Sequence, residues 1–189
     1  MAGVVGRLAV VLGLACWHAQ GLPRPEAPTR PKTRSDPAED EGLVIHNGDV
    51  IFLRHKMSGK VVDVEGIHLR ARKSGHGTRQ AFKLEKPEVG EVCGNIYAFD
   101  RVFLRAHTGM RVGVDGEVVA AADSNRGPRQ ELLLEVLESR PGPLRHGAVV
   151  FLRAHTGMNV EIFGGVAKAR FRKQGAAQAF TIEKPRSSY

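Results

Sequence analysis

The chain has 189 residues, 42% of them hydrophobic and 25% charged, with a formal net charge of +8 and a pI near 9.9. This mixture is that of an ordinary globular domain and excludes a wholly disordered chain. The basic balance favours acidic partners such as sulfated polysaccharide, nucleic acid or an anionic surface.

In chain order the first element is a leader. Met1 to Arg7 carries one positive charge, and Leu8 to Trp17 is an unbroken run of small and apolar residues. Ten residues rise only about 15 Å as a helix, half of a bilayer core. With small residues at Ala19 and Gly21, residues 1–21 have the layout of a secretory signal peptide cleaved near Gly21, and the expected location is extracellular. A buried N-terminal helix and a lipid anchor at Cys16 are the alternatives. No other stretch is apolar for 18 residues, so no membrane span is expected in the mature chain. Residues 22–41, "LPRPEAPTRPKTRSDPAEDE", hold five prolines and nine charges. Such a segment buries too little surface to offset its ordering entropy and reads as a disordered linker. Its charges nearly cancel, so the positive balance belongs to the folded domain, 42–189. Removing the leader leaves Cys93 as the sole cysteine, which is either free or paired between chains.

The domain is internally repetitive. "VFLRAHTGM" at Val102 to Met110 returns 48 residues later at Val150 to Met158. A third copy, "VIFLRHKMSGKVVDVEG", runs from Val50 to Gly66 with one extra residue before Gly59. Gly59, Gly109 and Gly157 are each followed 21 residues later by Gln80, Gln130 and Gln178. Apolar positions recur at period two, the strand period. A first strand carries Ile51 and Leu53, Val102 and Leu104, Val150 and Leu152. A second carries Val62 and Val64, Val112 and Val114, Val160 and Ile162. A third carries Leu69 and Ala71, Val119 and Ala121, Ala167 and Ala169. A fourth carries Phe82 and Leu84, Leu132 and Leu134, Phe180 and Ile182. Glycines mark the turns between them and helix signals are absent. The spacing predicts an all-β domain of twelve strands, in repeats at about 48–87, 99–138 and 147–185, closing around one shared core.

That layout resembles the β-trefoil, in three four-stranded pseudo-repeats over Gly42 to Pro185. Within it, Val-x-Leu-Arg followed by a His/Thr/Gly turn is most similar to the fascin-like, actin-crosslinking modules, with Phe103-Leu104-Arg105 and Phe151-Leu152-Arg153 carrying the likeness. The resemblance implies actin filaments as partner, in conflict with a secretion signal. A single module would also have to dimerise to crosslink. A second likeness is to ricin-type lectins. Gln80-Ala81-Phe82 and Gln178-Ala179-Phe180 stand where lectin repeats have Gln-x-Trp, and Ser58 to Val64 is similar to the lectin sugar-site strand. Phe replaces Trp, Gln130-Glu131-Leu132 lacks the aromatic, and the lectin's paired cysteines are missing. The lectin likeness leaves Asp63 as the candidate sugar-binding aspartate.

The third strand supplies the other candidates. With Leu69 and Ala71 inward, Arg70 and Arg72 share an outer face; Lys168, Arg170 and Arg172 form a second basic stripe, and Lys73 and Lys173 are counted with them as candidates. The second copy has Ala120 and Ala122 there, so the charge is not a demand of the fold. The competing reading is that these residues serve solubility and blunt strand edges. His107 and His155 occupy equivalent turns that a threefold arrangement holds apart, so no metal site is expected. No catalytic motif and no cofactor motif is present. Gln80, Gln130 and Gln178 either bind ligand or satisfy backbone groups in the preceding loop.

These observations together give the expectation of a secreted, monomeric, non-enzymatic module that recognises a glycan or another polyanion. The seven basic residues are its main site and Asp63 a neutral-sugar site, with a fascin-like actin-binding module as the alternative. Expression in a secreting host is expected to release protein shortened by about 20 residues, measured by intact mass. Retention of the full-length chain inside cells would overturn the leader.

Overall fold

The computed structural model describes residues 43–87, 94–137 and 141–185. The expected leader 1–21, the linker 22–41 and Cys93 lie outside the described residues.

Among the described residues twelve strands follow one another: β1 (Val50–His55), β2 (Val61–Glu65), β3 (His68–Lys73), β4 (Phe82–Glu85), β5 (Arg101–Ala106), β6 (Arg111–Asp115), β7 (Val118–Asp123), β8 (Leu132–Val136), β9 (Val149–Ala154), β10 (Asn159–Phe163), β11 (Val166–Phe171) and β12 (Phe180–Glu183). Among the described residues the helical structure is one short 3-10 turn, Thr78–Gln80, and no helix is long and apolar enough to cross a membrane.

All pairings are antiparallel. Six strands close a ring in the order β1, β4, β5, β8, β9, β12 and back to β1. The others form the hairpins β2–β3, β6–β7 and β10–β11. These join one another through His68 opposite Ala120, Val118 opposite Lys168 and Val166 opposite Arg70. Closure of this kind removes the exposed edges that a sheet of alternating residues would otherwise present. Each hairpin turns on a glycine at the same place, Gly66, Gly116 and Gly164, with φ of 60°, 58° and 61°. Side chains disfavour that left-handed conformation, which is why the letter recurs.

The period-two residues meet as expected. Ile51, Leu53, Val102, Leu104, Val150 and Leu152 share one buried cluster with the apolar residues of the hairpins and of β4, β8 and β12. Phe52, Phe103 and Phe151 point the other way by alternation and are nevertheless 8%, 2% and 2% exposed. The imidazole of His76 stacks on Phe52 at 4.2 Å, and the guanidiniums of Arg111 and Arg126 lie 5.9 and 5.8 Å from the Phe103 ring. One end of the ring is closed by three backbone bonds in a cycle. Ile45 N–H donates to the Leu144 carbonyl (2.8 Å), Leu144 to Ile96 (2.6 Å) and Ile96 to Ile45 (3.0 Å).

The arginine of each Phe-Leu-Arg run has a role that periodicity does not reveal. Arg54 pairs with Glu183 at 2.6 Å, Arg105 with Glu85 at 2.9 Å and Arg153 with Glu135 at 2.5 Å. Each glutamate comes from the strand that ends the preceding copy, with the last copy returning to the first. The glutamate side chains are only 15%, 9% and 8% exposed. A residue from the loop after the third strand completes each cluster: His76 on Glu183 at 2.6 Å, Arg126 on Glu85 at 3.3 Å and Gln174 on Glu135 at 2.7 Å. Burial alone would raise the Glu85 carboxyl. The hydrogen bond from Arg111 and the charges of Arg111, Arg105 and Arg126 outweigh it, holding the pKa below the ordinary value. Glu183 behaves likewise: burial is opposed by hydrogen bonds from Arg54 and His76, and the net shift is downward.

His55 replaces the alanines Ala106 and Ala154 of the other copies and is 1% exposed. The Ala177 carbonyl, 3.1 Å from Nε2, can only accept, so Nε2 carries the proton and Nδ1 accepts from the Ser58 hydroxyl at 2.9 Å. Burial lowers its pKa, and the bond to Ala177 only partly offsets that.

Glu85→Ala should cost about 2 kcal/mol in chemical denaturation, because it strands Arg111, whose side chain is 11% exposed. Arg126→Ala, at a side chain 39% exposed, should cost about 0.5 kcal/mol or less. Thermal melts against pH should show two losses. The folded pKa of His55 is depressed, so its contribution is present above the unfolded value of about 6.5 and fades as pH falls from there. The contributions of Glu85 and Glu183 are present above the ordinary carboxylate value of about 4.3 and fade as pH falls below it.

Candidate functional site

The two basic stripes do not form the free cationic faces that strand alternation suggests. Arg72 lies 2.9 Å from Glu65 and 3.6 Å from Asp63, and Arg70 lies 3.3 Å from Glu65. Arg170 pairs with Glu161 at 2.6 Å, and its guanidinium sits 4.3 Å from the Phe163 ring and 5.2 Å from that of Phe171. Three of the seven expected cations are thus internally compensated. Arg172 and Lys173 lie beyond the end of β11, and a register shift between Asn159 and Val160 breaks the alternation after Ala169. Arg172 therefore does not share one strand face with Lys168 and Arg170. Its carbonyl and that of Lys173 accept from the buried Asn159 amide at 2.9 and 3.1 Å, which pins the loop. Lys173 lies 5.3 Å from the Phe171 ring, and Lys168 is half-buried.

Arg72 and Lys73 of the first copy line a cavity, and Arg70 does not. An open recess of about 750 Å³ lies between the β2–β3 hairpin and the 3-10 turn, lined among others by Asp63, Arg72, Lys73, His76, Arg79 and Gln80. Asp63 is 2% exposed, and its Oδ1 is buried with no protein donor in reach. An unsatisfied buried carboxylate oxygen is costly and favours a molecule that brings an O–H or N–H.

The three copies explain why the recess is here. In the third, Glu161 stands at the position of Asp63. Its extra methylene carries Oε2 to 2.6 Å from the Gln178 amide while Oε1 meets Arg170 at 2.6 Å, so both oxygens are satisfied. The second copy has Gly113, and the Gln130 amide nitrogen sits 3.2 Å from where a Cβ would stand. In the first, the shorter Asp63 makes no bond to Gln80, and both groups line the recess. The recurring glutamines also have a structural task. Gln130 and Gln178 accept from the Gly127 and Gly175 N–H groups at 3.2 and 3.0 Å. Gln80 Oε1 likewise lies 2.8 Å from where a Cβ on Gly77 would be, so only glycine admits the approach.

His107 and His155 are exposed turn residues, and no cluster of metal-ligating side chains occurs among the described residues. Sequence reasoning missed Lys73's neighbour Arg79 and did not use His76. Both sit in the loop that recurs in each copy, and that loop's position over the hairpin was the missing information.

No protein-family model and no curated protein matches the chain. Solved structures do. The SDF2-like protein from Arabidopsis thaliana superposes with a TM-score of 0.62 at 12% identity, over 74% of this chain and 94% of its own. The S. cerevisiae protein O-mannosyltransferase complex bound to the sugar donor gives 0.60 at 16% identity, over 77% of this chain and 26% of its own. ThreeFoil, a designed 3-fold symmetric protein, gives 0.54 at 18% identity, over 72% of this chain and 99% of its own. At these identities the likeness is one of fold, and the fold is of the β-trefoil type.

Asp63→Glu is expected to rebuild the third copy's contact in the first, with the new carboxylate reaching Gln80 and closing the recess. Calorimetry should then find the melting temperature unchanged or higher. A drop of more than about 5 °C would show that the geometry at 63 and 161 is not equivalent.

Proposed function

We propose that this domain is a β-trefoil of three four-stranded pseudo-repeats that serves as a secreted, non-enzymatic module for binding carbohydrate. One observation carries the reading: a buried aspartate with an unpartnered oxygen is among the residues lining an open polar recess, with an arginine and a glutamine. Sugars offer adjacent hydroxyls that donate to a carboxylate and accept from guanidinium and amide N–H groups at once. The structural likeness to a mannosyltransferase complex bound to its sugar donor is compatible with a glycan-related role. A general polyanion surface is the weaker form of the proposal, because Arg70, Arg72 and Arg170 are already paired. The recess also suits holding a ligand more than cleaving one, since Asp63 and Glu65 share Arg72. The fascin-like, actin-binding alternative draws on the sequence resemblance alone.

The test is a glycan array probed with the full chain and with Asp63→Ala. Wild-type binding that Asp63→Ala lowers at least tenfold, and that Arg172→Ala with Lys173→Ala leaves within twofold, is the expected result. A blank array together with co-sedimentation with actin filaments would replace this reading with the fascin-like one.

A further inference from the structure

The charges around the recess do not balance, and the imbalance has a direction. Asp63 and Glu65 are matched by Arg72 and Arg70 at 2.9 to 3.6 Å. His76 is engaged with Glu183 at 2.6 Å and stacked on Phe52, so it answers to the inter-copy cluster beneath it. Two lining cations remain: Lys73 and Arg79 are exposed and have no carboxylate in reach among the described residues. At the equivalent positions the second copy has Asp123 and Arg129, and the third has Phe171 and Ala177. Two uncompensated cations at this recess are therefore a property of the first copy, not of the fold.

The recess thus makes two demands. The buried Asp63 oxygen calls for a hydroxyl or amide donor, while Lys73 and Arg79 call for an anion. A neutral sugar meets the first only, and an inorganic anion without a proton to donate, such as sulfate, the second only. We infer that the ligand is an acidic saccharide: a sugar that donates a hydroxyl to Asp63 while a sulfate, carboxylate or phosphate substituent lies between Lys73 and Arg79. This rests on the carbohydrate reading and narrows it to a substrate class. The cation pair adds selectivity more than affinity, because exposed ion pairs are individually weak and screened by salt.

The test compares matched hexasaccharides, one uronic and sulfated and the other desulfated and carboxyl-reduced, by calorimetry on the full chain. A phosphorylated sugar and an acidic peptide serve as further probes. Wild type is expected to prefer the acidic hexasaccharide by about tenfold at low salt. Lys73→Ala with Arg79→Ala should abolish that preference and leave binding of the neutral form within twofold. Asp63→Ala should weaken both. Sulfate-only, carboxylate-only and phosphate-only sugars then rank the substituent. Equal wild-type affinity for the two forms, a preference that survives the double substitution, or an acidic peptide bound as tightly as the saccharide would each overturn the inference. If instead Asp63→Ala changes neither form, the carbohydrate reading itself fails, and the two failures are told apart.

Discussion

The pairing of Arg54 with Glu183, Arg105 with Glu85 and Arg153 with Glu135 is the constraint on which the rest of the domain depends. An antiparallel ring built from successive copies needs each copy to find the next in a fixed register. Hydrophobic burial is non-directional and cannot supply that alone. A largely buried glutamate that must meet the arginine of the next copy does, since a slip of one residue would break that pair in a poorly solvated place. The contact crosses from copy to copy and back to the first. The same short run of letters is therefore needed three times: its leucine fills the core, its arginine clasps the preceding copy, and its glycine makes the turn.

With the framework secured in this way, residues above the hairpins are free to differ, and the recess borders one such difference. Glutamate, glycine and aspartate at positions 161, 113 and 63 give a satisfied contact, a space bordered by glutamine, and an open recess. One methylene separates the satisfied carboxylate of Glu161 from that of Asp63, which keeps an unpartnered oxygen. The first cluster also lies directly under the recess, because His76 both lines it and bonds Glu183. The recess and the framework thus share a residue in the first copy, whereas Arg126 and Gln174 hold that position in the others.

The strands were legible in the sequence because alternate apolar residues and recurring glycines are local signals. Every core residue expected from the period-two pattern of Ile51, Leu53 and their counterparts is buried. The glutamates that receive the arginines were not legible. Glu85, Glu135 and Glu183 recur in register, but a polar residue at a strand end reads as a surface residue until its partner strand is known. The pairing of Arg70, Arg72 and Arg170 within the basic stripes was not legible for a related reason. Compensation by Glu65 and Glu161 comes from the neighbouring strand, and the register shift beside Val160 breaks an alternation that the letters alone keep intact. Asp63 was visible as a candidate through a likeness of motif. Its burial, and the cations Lys73 and Arg79 beside it, became visible as one site only when the loop after β3 was placed over the hairpin.

The most direct measurement is a crystal structure of the full chain soaked with an acidic disaccharide. The account predicts a sugar hydroxyl within hydrogen-bond distance of the Asp63 carboxylate, with the acidic substituent contacting Lys73 or Arg79. Density for the sugar at Arg172 and Lys173 instead, with the Asp63 recess unchanged, would contradict it.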